Sequence, residues 1–103
     1  MKVKPGYHHR VEYLIRFAPG SDERAPGAAV TVELCGHWDH DGSCRWAHLS
    51  TITPQKDGAH LLVVEFDASE AEVARVNSKI EAALARGQLK GPDGHHSVWQ
   101  VEG

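Results

Sequence analysis

A chain of 103 residues has room for one domain, spanning 1–103, of ordinary size. Charged residues are 24% of it and apolar residues 41%, which is globular usage and argues against wholesale disorder. The net charge is −3 and the eleven Lys and Arg form no basic stripe, so nucleic acid is not an expected partner.

Residues 7–17 alternate: Val11, Tyr13, Ile15 and Phe17 share one phase, Arg10, Glu12 and Arg16 the other, with Leu14 the exception. That is the pattern of a half-buried strand. Residues 18–27 form a polar loop bracketed by two Pro-Gly pairs, long enough to expect mobility. Alternation returns over 28–38, with Ala28, Val30, Val32, Leu34, Gly36 and Trp38 apolar and Thr31, Glu33, Cys35 and His37 polar, predicting a second strand. Asp41-Gly42 reads as a two-residue hairpin turn, because such turns need positive φ, and residues 44–52 return as a third strand. After a turn at 53–58, residues 59–66 are apolar on both faces, as in a central strand.

The period then changes to 3.6. Val73, Val76, Ile80, Ala83 and Leu84 make one stripe, Ser69–Glu72 fits a capping box and Gly87 suits a helix C-terminus, so a helix is predicted at about 69–86. Gly91–Gly94 is a turn, and 97–101 a short last strand carrying Trp99. The expected fold class is α+β: a four- to five-stranded, mostly antiparallel sheet (β-β-β-β-α-β) with one helix packed on one face. Its other face would carry Arg10, Glu12, Leu14, Arg16, Thr31, Glu33, Cys35, His37 and Leu61, open to solvent, a ligand or a second copy.

No secretory leader is expected, since Met1–Gly6 has no apolar stretch. The longest strongly apolar run, Leu61–Val64, is far short of the ~20 residues that span a bilayer. Two cysteines are no disulfide framework. The expectation is a cytoplasmic protein with no membrane partner.

Chemistry is concentrated in histidine. Adding a proton to each of the eight histidines turns −3 into +5, and free histidine titrates near pH ~6.5. Cys35, His37, His40, Cys44 and His48 fall within one short segment, and thiolate and imidazole together suit divalent transition metals, zinc first. With Asp41-Gly42 as the turn, Cys35 lies opposite His48 and His37 opposite Trp46. Cys35, His37 and His48 then share a face, three ligands with a fourth position open. In that register the cysteines are too far apart for a disulfide; a wider loop would bring Cys35 opposite Cys44 and allow one. The spacing matches no zinc-finger pattern, and Asp39–Gly42 fails as a calcium loop. Cys35 with His48, or Cys44 with a neighbouring base, could instead make an activated thiolate, and a buried cysteine is often plain filler. His8-His9 and His95-His96 are adjacent pairs, so at most one of each can join a given site.

Three functional readings follow. The leading one is a protein binding a divalent transition metal, zinc, on the Cys35–His48 hairpin, with water activation if a coordination position is open. The second is a metal-free homodimer enclosing a small-molecule ligand between open sheet faces, with His37, His48 and Arg16 as binding or acid–base groups. The third is a protein-interaction module with a pH-sensitive surface.

Overall fold

The computed structural model describes residues 8–35, 46, 48–91 and 93–102. Its elements are β1 His9–Phe17, α1 Ala25–Cys35, β2 His48–Pro54, β3 His60–Phe66, α2 Glu70–Ala85, β4 Gln88–Lys90 and β5 His96–Glu102. The strands form one five-stranded sheet in the order β2-β3-β1-β5-β4, antiparallel at every junction. With β1 between β3 and β5, the chain follows the split β-α-β arrangement with an added edge strand, β4. The α+β class and antiparallel sheet expected from the sequence are what the structure shows.

Alternation does what it predicts in β1. Ile15 is sealed, Val11, Tyr13 and Phe17 pack against the core, and Arg10, Glu12, Leu14 and Arg16 are exposed. In β3, Leu62, Val64 and Phe66 enter the core. The α2 stripe closes over them through Val76, Ile80, Ala83 and Leu84. Ser69 is its N-cap residue, but the hydroxyl makes no cap to the backbone; it donates to the Glu72 carboxylate at 3.3 Å. At the other end Gly87 takes φ +67°, and a Cβ there would meet the Trp99 carbonyl at 3.1 Å, so glycine is required. The Trp99 indole N–H donates to the Leu84 carbonyl at 3.0 Å, satisfying one of the carbonyls that a helix end leaves unpaired.

Residues 28–35, predicted as strand, are helical, so two helices rather than one pack on the sheet. The apolar residues of this segment fit both periods. Read at period two they are Ala28, Val30, Val32 and Leu34; read as a helix they are Ala25, Ala29, Val30 and Leu34, and these are the ones buried. Alanine favours the helix. Pro26 sits in its first turn, where a missing N–H costs little. The Asp22 carbonyl accepts the Ala25 N–H at 3.0 Å. Packing against α2 and the sheet in one core settles the choice.

Trp46, expected on the uncovered face, is instead buried in the core, with the Arg75 guanidinium 5.8 Å from its ring centroid. Among the described residues no helix is long and apolar enough to cross a membrane. The turn at Asp41-Gly42, and Trp38 with it, lie outside the described residues.

Candidate functional site

The loop after β1 is sewn to β5. Ala18 N–H donates to the Val98 carbonyl at 3.0 Å. The Ser21 hydroxyl donates to the same carbonyl and accepts the Val98 N–H, both at 2.9 Å. The fully buried Ser97 accepts the Asp22 N–H at 2.9 Å, and His95 Nε2 donates to the Gly20 carbonyl at 2.8 Å. A loop read as mobile from its length is therefore fastened to the hairpin that follows β4.

Between this loop, the first turn of α1 and the β4–β5 hairpin lies a groove of about 380 Å³. Its apolar wall is Ala25, Ala28 and Leu89; its polar groups are Asp22, Arg24, Asp93, His95 and Ser97. Asp22 and Arg24 form a two-pronged pair, Nε to Oδ1 at 3.1 Å and Nη2 to Oδ2 at 3.0 Å. Those side-chain bonds, then the Arg24 backbone N–H, hold the Asp22 carboxyl below its ordinary 3.8, with His95 contributing further. Asp22 in turn raises Arg24, with Asp93 and Glu23 adding to it. Asp93 Oδ1 accepts the His95 backbone N–H at 3.0 Å, fixing the turn that carries both side chains.

On the other flank of the same helical turn is a second groove of about 300 Å³ bordered by Glu23, Arg24, Gly27, Thr31, His48 and Ser50. Gly27 lets α1 cross β2 closely: a Cβ there would stand 3.1 Å from Ser50 Cβ. His48 Nδ1 faces the Trp46 carbonyl at 3.2 Å and Nε2 faces Thr31 Oγ1 at 2.9 Å. A carbonyl can only accept, so Nδ1 donates to it; in the neutral ring Nε2 then accepts from the threonine hydroxyl.

The metal reading does not survive this geometry. Among the described residues no group of three or more His, Cys, Asp or Glu is placed to hold a metal ion. The cause is the helix: Cys35 ends α1 and so cannot pair with His48 across a hairpin. β2 pairs with β3 instead, His48 opposite Phe66, and the His48 ring turns to the helix-covered side, against Thr31. It is therefore not on the open face with Arg16. The side chain of Cys35, with His37, His40 and Cys44, lies outside the described residues.

The other histidines are dispersed. His9 stacks on Phe66 at 5.2 Å between ring centroids and donates to the Ala68 carbonyl. His8 meets Asp67 at 2.9 Å, His60 lies 3.5 Å from Glu23, and His96 bonds Gln88. No known protein family, curated protein or solved structure matches the chain.

The groove residues escape a reading by motif because each sits in a turn, where Asp and Gly are explained by local hydrogen bonding. Asp22 and Asp93 are far apart in sequence, and the contacts of His95, Ser97 and Val98 with the 18–22 loop bring them together. The one available signal was the pair of polar loops flanking apolar elements.

Proposed function

We propose that the protein binds a small organic molecule in the groove between the first turn of α1 and the β4–β5 hairpin. The observation that carries this reading is the convergence of Asp22, Arg24, Asp93 and His95 on one apolar wall. A concavity of this size is at the lower end of the range of small-molecule sites, which are mostly apolar with a few placed polar groups. Its walls are ordered by hydrogen bonds before any ligand arrives, which lowers the cost of binding. The Asp22–Arg24 pair is solvent-exposed, with Arg24 at 84%, and exposed pairs are weak, so a ligand can exchange partners with it. A small-molecule library screened by thermal shift tests the reading. Hits should raise the melting temperature of the native chain and lose the effect in Ala28→Phe, which fills the groove. Hits that persist in Ala28→Phe, or no hits at all, overturn it.

A second reading concerns the uncovered sheet face. Among the described residues Leu14 and Val98 are the exposed large apolar side chains, 39% and 41% accessible; both lie on it, and Leu14 stands beside Leu61 through the pairing Leu14↔Leu61, with Val63 two residues further along β3. We propose that two copies of the chain associate through this face, an isologous contact with an apolar centre and a polar rim.

A further inference from the structure

We infer that the ligand of the α1–hairpin groove is a zwitterion with a short apolar body, of the α-amino-acid type. Arg24 would meet its carboxylate, Asp22 and Asp93 its ammonium, and Ala28 and Leu89 its side chain. This inference rests on the ligand-binding reading above. The argument is one of sign and placement. Arg24 is bracketed by two carboxylates that line the same small concavity. A simple anion entering it meets Asp22 and Asp93, and a simple cation meets Arg24. A compound carrying both charged groups on one carbon satisfies each and leaves no like charges opposed.

Donors and acceptors remain for it. The guanidinium spends Nε and Nη2 on Asp22 out of five N–H donors, and a carboxylate accepts on two oxygens; Asp93 takes the His95 N–H on Oδ1. His95, tied to Gly20 through Nε2, closes the rim. Ala25, Ala28 and Leu89 are less exposed than Arg24, Asp93 and His95, so a ligand can turn its charged end outward and its aliphatic end in.

The test is an amide NMR titration of the full chain with three probes of the same skeleton: leucine, leucinamide and 4-methylpentanoate. Leucine should shift the amides of 22–28 and 89–97 and bind about tenfold more tightly than either singly charged probe, since each charge-assisted contact is lost separately. Asp93→Asn, which keeps the acceptor for the His95 N–H, should weaken leucine several-fold and leave 4-methylpentanoate unweakened. If all three probes bind alike, or a singly charged one binds best, the zwitterion assignment is overturned while the groove stands as a ligand site. The same holds if none of the three moves those amides but a screening hit does. If neither the probes nor any screening hit moves them, both readings fall.

Discussion

The two faces of the sheet are made from the same strands and, along β3, from consecutive residues, yet they are built on different physics. Leu62, Val64 and Phe66 point to the helices and are sealed; Leu61, Val63 and Glu65 point away, Leu61 and Glu65 partly exposed and Val63 9% accessible between them. The covered face gains its stability from apolar area removed from water. The uncovered face carries charges that satisfy one another within the chain. Arg10 bonds Glu12 at 2.6 and 2.9 Å, and Arg16 bonds Glu102 at 2.7 Å and Asp57 at 3.0 Å. A face whose arginines are already paired, with leucine and valine beside them, leaves little positive charge to draw an acidic partner at long range; it suits a shape-matched apolar one. The difference teaches that alternation along a strand reports which side is apolar, while the pairing of charges reports what that side can meet.

The sharpest way to break this comparison uses neighbouring leucines. Leu62→Ala should cost about 3 kcal/mol, as buried leucine truncations do, whereas Leu61→Ala should cost roughly 1 kcal/mol or less; urea denaturation of both variants measures the contrast, and equal losses would mean the faces are not distinct. Next in size is Leu14→Glu. It should change the stability of the single chain by less than about 1 kcal/mol but turn a sedimenting dimer into a monomer. A wild-type chain that sediments as a monomer at tens of micromolar defeats the self-association reading.

The smallest effect is electrostatic and has one carboxylate near each face. Asp22 is lowered mainly by the Arg24 side chain. Asp57 is lowered mainly by the Ala59 backbone N–H, with Arg16 also contributing. A carboxyl whose folded value lies below its ordinary 3.8 stabilises the fold fully above that value and loses the contribution as pH falls through the folded value. Melting temperature should therefore decline between about pH 5 and pH 2.5, and less steeply in Asp22→Asn and Asp57→Asn. Slopes parallel to wild type would show that these contacts contribute nothing.

Much of the architecture was legible in the sequence because burial on one side forces a period. β1 and α2 each have a single apolar phase, and both form where that phase predicts. α1 was not legible, because Val30 and Leu34 satisfy two periods at once and the arbiter is α2, which comes later in the chain. β4 is too short to show a period and exists because β5 lies beside it. The candidate site was the least legible part. The Cys35–His48 reading placed its ligands on a hairpin, and a helix occupies one of the two strands it needed. The groove that does form depends on Ser97 and Val98 holding the 18–24 loop, contacts that no local pattern announces.

The central place of β1 bears on how the molecule assembles. Its two neighbours follow late in the chain, β3 after residue 59 and β5 only at residues 96–102, so β1 precedes both of its partners and is flanked on both edges only once β5 has formed. Pairing over such separations requires large loops to close before the contacts compensate. Folding on the slower, millisecond-to-second side of small α/β domains is the kinetic signature this topology implies. Until β5 docks, an edge carrying Val11, Tyr13, Leu14, Ile15 and Phe17 stays open to other chains.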